Sequence, residues 1–192
     1  MQESHKYIIL SAPSGAGKTT IAHHLLNAGL DLEFSVTACS RAMRVGEKEG
    51  VDYYFLSKED FRQRVSAGDF LEWEEVYPDH FYGTLKSEII RIQSNGHMVL
   101  FDVDVVGGLN IKKIFKEDAL ALFISPPSIE ALKERLEKRA TDSPEKIRLR
   151  LDKAKTEMAR APEFDTIIIN NDLQKALGEA EKVVSNFIHG EE

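Results

Sequence analysis

The residues best placed to do chemistry are Ser14, Gly15, Ala16, Gly17, Lys18 and Thr19, consecutive within KYIILSAPSGAGKTTIAHHLL. Residues this small let successive backbone N–H groups point into one concavity, where phosphate oxygens can be held. Lys18 supplies a compact cation for the outer phosphates and Thr19 a hydroxyl for Mg²⁺, while a helix opening at Lys18 turns its positive dipole end to the same place. Thr20 completes the candidate ATP-binding run. The pattern G-x-x-x-x-G-K-[ST] requires a strand before it and a helix after it. Tyr7 to Leu10 is an unbroken apolar run suited to a strand buried on both faces, and Ile21, Leu25 and Leu26 recur at helical spacing. Ala12 stands where the first glycine should be, which an alanine can do if its φ is negative. The stretch reads as a nucleoside triphosphate site.

Further charged groups are candidates for a second ligand. Arg41 and Arg44 stand three apart, with Thr37 before them and Tyr53 after; they are either two solvated arginines or a forked site for one phosphate. Glu72 lies between Leu71 and Trp73, so alternation turns it to the other face of a strand, towards solvent or towards a site. Met98 to Phe101 is an apolar strand ending in Asp102 and Asp104; such a carboxylate beside a phosphate loop organises Mg²⁺, although Asp104 could equally cap the helix that follows. Between Ser128 and Arg160 ten basic residues face seven acidic ones, against the trend of a chain with net charge −7. Arg135 and Arg139 share a helix face within that segment, and the two helices with their polar turn resemble a mobile lid over an anion.

The elements that must position these groups alternate strand and helix. Helices are expected at Ser57 to Gly68, with an S-x-x-D capping box, then at Leu85 to Ser94, Val105 to Phe115, Ser128 to Arg139, from Ile147 towards Ala161, and Leu173 to Ile188. Strands are expected at Ala119 to Ile124 and, fully buried, at Thr166 to Ile169. The alternation implies an α/β fold whose parallel sheet is flanked by helices, with ligands at the carboxyl ends of its strands. A β-rich stretch around 34–84 interrupts it and reads as an inserted subdomain facing the phosphate loop. The 192 residues suit a single domain. An acidic balance argues against a protein that coats nucleic acid. No apolar run approaches the roughly 18 residues of a membrane span. A start without a signal-peptide profile and one cysteine, Cys39, fit a cytoplasmic chain.

With these motifs in order, the chain resembles guanylate kinases of the bacterial type over essentially its whole length. SAPSGAGKTT is similar to their phosphate loop, including the alanine at its start, and SRAMRVGE to their arginine motif. DYYF, FLEW and FYGT match the next signatures, FDVD the metal-proximal strand and IINND the adenine-side loop. The resemblance implies a P-loop nucleoside monophosphate kinase: core segments 1–33, 86–127 and 161–192 with the phosphate loop at 12–19, a β-rich GMP-binding subdomain at 34–85, and a helical lid with its flanking helices at 128–160. It implies that Arg41, Arg44, Tyr53 and Tyr82 hold the GMP phosphate and that Thr37, Glu72, Thr84 and Asp104 surround guanine. Asp102 would lie near Mg²⁺ beside Thr19, Asn170 near adenine, and Arg135, Arg139 and Arg150 on the ATP phosphates. Met43, Ala38, Cys39 and Ala140 depart from the usual family residues and bear on loop rigidity and lid mobility.

The implied activity is Mg²⁺-dependent phosphoryl transfer from ATP to GMP, giving ADP and GDP. The acceptor phosphate is already deprotonated near neutral pH, so positioning and charge neutralisation suffice and no general base is needed. Two other readings carry different signatures. A phosphopeptide-binding guanylate-kinase-like module would typically lack the phosphate loop lysine and lid arginines, and a ribose-bisphosphate kinase would lack the guanine-reading set. No nucleic acid, membrane or obligatory protein partner is implied.

Overall fold

A computed structural model describes residues 6–138 and 143–190. Arg139 and Ala140 therefore lie outside the described residues. The chain runs β1 (Tyr7–Ser11), α1 (Lys18–Leu26), β2 (Leu32–Phe34), β3 (Ala38–Cys39), β4 (Tyr54–Phe55), α2 (Lys58–Ala67), β5 (Phe70–Tyr77), β6 (His80–Leu85) and α3 (Lys86–Ser94). It continues with β7 (Met98–Asp102), α4 (Val105–Phe115), β8 (Ala119–Ser125), α5 (Ile129–Lys138), α6 (Pro144–Ala159), β9 (Thr166–Ile169) and α7 (Leu173–His189).

Five strands form a parallel sheet in the order β2-β7-β1-β8-β9, with Ile9 of β1 level with Phe101 on one side and Ala121 on the other. All five residues of β1 are buried, because helices cover both faces of the sheet. Ile8 and Leu10 pack with Ile21 and Leu25 of α1 and Ala180 and Val184 of α7. Ile9, one residue out of phase, packs on the opposite face with Ile92 of α3, Leu109 of α4, Phe101 and Phe123. The period-two alternation of β1 thus links two separate apolar cores. β9 was expected to be buried throughout; Ile168 is, but Ile167 and Ile169 are 40% and 59% exposed. As the last strand of the sheet it has one paired edge, and the α7 core takes only the Ile168 side chain.

The second sheet, β4-β3-β6-β5, is mixed: β3 runs parallel to β4 and antiparallel to β6, and β5 and β6 form a hairpin turning at Pro78 and Asp79. Its core is aromatic, with the Phe61 ring of α2 stacked 4.4 Å from Phe70 and 5.6 Å from Phe81. Ser57 caps α2 by accepting from the Asp60 N–H at 3.0 Å. The expected reciprocal box does not form: the Asp60 carboxylate accepts from the Ser57 hydroxyl at 2.7 Å instead of reaching back to a backbone N–H. The hydroxyl is the nearer donor and can serve the carboxylate while accepting at the same time. Gly68 ends the helix at φ 74°, a left-handed position suited to glycine.

A buried carboxylate ties the two sheets together. Glu88 of α3, 2% exposed, accepts from the Val36 backbone N–H at 3.1 Å, the Tyr54 hydroxyl at 2.9 Å and Arg91 at 2.6 Å. Arg91 also pairs with Glu33 of β2, which accepts from His97 as well. Val36 lies on the segment leaving the parallel sheet and Tyr54 within the mixed one, so Glu88 fixes the angle at which the chain passes between them. Glu88→Ala strips charge-assisted bonds from the buried Val36 N–H, the half-buried Tyr54 hydroxyl and the exposed Arg91, and is expected to cost about 3 kcal/mol of stability. Urea unfolding should show a lower midpoint with little change in slope.

Candidate functional site

The phosphate loop is rigidified from within and from behind. Gly15 and Gly17 adopt φ 97° and 101°, conformations that side chains oppose. A Cβ on Gly17 would stand 2.4 Å from the Asn170 amide nitrogen, and one on Gly15 would stand 3.0 Å from Leu136 of α5. Among the described residues Asp31, Asp79 and Lys116 alone have positive φ without being glycine, so Ala12 meets the negative-φ condition and its methyl joins the core beneath the loop. Gly17 precedes α1 without any side-chain cap, leaving the first N–H groups of the helix directed at the loop cavity. The Lys18 ammonium donates to the Val103 carbonyl at 3.0 Å and forms an ion pair with Asp102 at the end of β7.

Two cavities meet at these groups. The first, about 300 Å³, is lined by the loop and by Thr19, Thr20 and Asp104, with Arg150, Lys153 and Glu157 from α6. The second, about 390 Å³, is lined by Thr37, Arg44, Tyr53, Glu72 and Tyr82. Ser14, Lys18, Thr19, Asp104 and Arg150 line both, so a chain of phosphates in one would end at the mouth of the other. Arg150 donates to the Ser14 hydroxyl at 2.8 Å, bringing α6 to the loop.

Glu72 turns inward from β5. One oxygen accepts from the Thr84 N–H at 3.0 Å and hydroxyl at 2.8 Å. The other points at Gly107, where an added Cβ would stand 3.0 Å from it and 3.3 Å from Asp104. Burial pushes the Glu72 carboxyl up to about 7; the Thr84 bonds oppose the rise and the neighbouring Asp104 charge adds to it. Asp104 does both things the sequence left open: it caps α4 by accepting from the Gly107 N–H at 2.8 Å, and it lines both cavities.

The two arginines of SRAMRVGE have different surroundings. Arg44 is exposed and lines the second cavity. Arg41 is 8% exposed and bound to Glu47 through two parallel bonds of 2.6 and 2.7 Å. Its guanidinium lies 4.7 Å from the Tyr53 ring centre, and burial raises the hydroxyl pKa of both Tyr53 and Tyr82 while the Arg41 charge opposes the rise.

Five of the described candidates are not among the residues lining either cavity: Ala16, Arg41, Asn170, Arg135 and Thr84. Asn170 is buried and its amide donates to the Ala16 carbonyl at 2.7 Å, bracing the loop from behind. Arg135 donates to the Asn170 carbonyl at 2.7 Å, tying α5 to the end of β9. Thr84 is 1% exposed and spends its hydroxyl on Glu72. The sequence reading did not single out Glu47, Gly107, Lys153 or Glu157. Glu47 carried a signal, an acidic residue six after one arginine and three after the other; Gly107, in a helical Gly-Gly pair, did not.

Comparison with known proteins matches this arrangement to one family. The family profile described as guanylate kinase matches residues 4–187. A guanylate kinase of Bacteroides fragilis is 54% identical over 183 residues, covering 95% of this chain and 90% of its own. That of Salinibacter ruber is 52% identical over 181 residues, covering 94% and 96%. The crystal structure of guanylate kinase from Anaplasma phagocytophilum superposes with a TM-score of 0.75 at 29% identity, covering 95% of this chain and 86% of that one. With the profile spanning nearly the whole sequence and relatives above half identical, the chain belongs to the guanylate kinase family.

Proposed function

We propose that the chain transfers the γ-phosphoryl group of ATP to GMP, with the first cavity taking the ATP phosphates and the second taking GMP. The observation that carries this reading is the junction of the two cavities at Lys18 and Arg150, the second of them lined also by the half-buried Glu72 carboxylate, a group suited to a base. The loop N–H groups and Lys18 hold the donor phosphates, and Arg150, brought in by α6, adds charge where the transferring group passes. Arg135 and Asn170 support the loop from the lid and from β9. Arg41, Arg44, Tyr53 and Tyr82 converge on the acceptor phosphate. Thr37, Glu72, Thr84 and Asp104 surround the base.

Guanine presents adjacent N–H donors on its Watson–Crick edge, and an ionised Glu72, its Oε1 already anchored by Thr84, offers acceptors to them. Adenine would leave that half-buried carboxylate underpaired, a mismatch worth about 10⁴-fold once the ligand has excluded water. Thr19 and Asp102 contribute a hydroxyl and a carboxylate, hard oxygens that suit Mg²⁺ arriving with the ATP phosphates. Bound there, the ion would neutralise charge developing on the phosphoryl oxygens. No helix among the described residues is long and apolar enough to cross a membrane; the whole reaction needs only small anionic ligands.

An ADP-release assay with ATP, Mg²⁺ and each nucleoside monophosphate in turn should show stimulation by GMP and not by AMP, UMP or CMP. If GMP fails to stimulate, the reading is wrong. Lys18→Ala should lower kcat with GMP by about 10³-fold or more, since it removes a charge aimed at the transferring group.

The pH dependence follows from Glu72. Its folded-state pKa near 7 lies above the ordinary carboxylate value, so the group becomes protonated as pH falls through about 7, and a protonated oxygen no longer accepts from guanine. Affinity for GMP should fall as pH drops from 8 to 6, by about tenfold per unit once below 7. The acceptor phosphate titrates nearby with a pKa of about 6, so Glu72→Gln serves as the reference. It should bind GMP more weakly at pH 8 and lose the part of the pH dependence that belongs to the carboxyl.

A further inference from the structure

Glu47 is the carboxylate that decides where Arg41 points. Both its oxygens are used on the Arg41 fork, and Oε2 also accepts from the Arg44 backbone N–H at 2.8 Å. The Glu47 N–H donates in turn to the Arg44 carbonyl at 3.1 Å, closing a tight turn in which Gly46 takes φ 92°. Arg41 Nη1 also donates to the Ala42 carbonyl at 3.0 Å, and its guanidinium lies 4.7 Å from the Tyr53 ring centre and 5.4 Å from that of Phe55, two rings that neighbour each other at 5.8 Å. One acidic side chain therefore fixes the guanidinium of one arginine and the backbone of the other.

Building on the reading of this site as the acceptor-phosphate site, we propose that Glu47 is a positioning residue that stays on Arg41 while phosphate is bound and sets the spacing of Arg41 and Arg44. The alternative is a phosphate mimic that vacates the fork when GMP arrives. The geometry favours retention. Departure would strip the Arg44 N–H and undo the turn along with the Arg41 pair, whereas retention leaves the outer donors of a flat, stacked guanidinium oriented for one ligand. A free arginine side chain loses rotamer freedom on gripping a ligand, and the Glu47 pair removes that cost before binding.

The two roles predict opposite signs. Glu47 adds one negative charge to a site with two arginines, so if it only competed with phosphate, its neutralisation would strengthen GMP binding. If it positions, neutralisation weakens binding although the site becomes more positive. Glu47→Gln and Glu47→Asp in the full chain should be compared for KM of GMP, KM of ATP, kcat and calorimetric affinity for GMP and for guanosine. Glu47→Gln should raise KM for GMP about tenfold, with kcat, KM for ATP and guanosine affinity within about twofold. Glu47→Asp keeps the charge but falls one methylene short of the fork, so it should not rescue. A Gln variant binding GMP as well as or better than the wild type, an Asp variant that restores KM, or a parallel loss of guanosine affinity would each overturn the proposal alone. A wild-type chain that binds no GMP would overturn the reading of the site and the proposal with it.

Discussion

The Lys18 ammonium holds the functional half of the molecule together. It leaves the first residue of α1, crosses the end of the parallel sheet, and is fixed between the Asp102 carboxylate and the Val103 carbonyl where β7 stops. The loop and β7 are thereby locked to each other one residue before Asp104, which caps α4 and lines both cavities. The two cavities thus share one support. The strand order supplies this contact: β1 and β7 are hydrogen-bonded neighbours although some ninety residues separate them, so their carboxyl ends open onto the same crevice.

The same device recurs at a second cation of the site. Lys18 is paired with Asp102 and Arg41 with Glu47, each with a carboxylate that is itself held by the fold. Arg44 and Arg150 sit at the cavity surface, the latter carried by α6. A site for polyanions has to gather positive charge without repelling itself apart, and pairing Lys18 and Arg41 with carboxylates reduces that repulsion. Arg41 shows the consequence for reactivity: its charge, fixed beside Tyr53 and Tyr82, opposes the rise that burial imposes on both hydroxyls.

Much of this was legible in the sequence where local rules decide. The β1-loop-α1 unit, the strand at Met98 and the helix from Val105 to Phe115 follow from apolar runs, glycine positions and a capping aspartate, which are properties of adjacent residues. What was not legible depends on partners far away in the chain. The resemblance implies Asn170 near adenine, but that its amide donates to the carbonyl of Ala16, 154 residues earlier, is a contact no spacing rule encodes. Glu72 left pattern reasoning undecided because alternation gives a face and not what covers it; the cover is α4, brought close by the absence of a side chain at Gly107. β9 read as buried because three isoleucines follow one another, while its position at the sheet edge is a fact of topology.

Glu72 also shows why a binding site is a cost to the fold that carries it. A carboxyl raised to about 7 in the folded chain holds its proton more tightly there than in the unfolded chain. Its contribution to stability is therefore complete below the ordinary carboxylate pKa and is lost as pH rises through about 7, so at neutral pH and above the ionised group is held in place against its own desolvation. Thr84 offsets part of that, with two bonds to one oxygen, and leaves the second oxygen facing Gly107 and the cavity. A ligand with two adjacent N–H donors relieves the remainder, and one without them does not. The second Glu72 oxygen is the acceptor such a ligand would meet, and the aromatic core of Phe61, Phe70 and Phe81 behind β5 and β6 supplies the stability that lets the fold retain it.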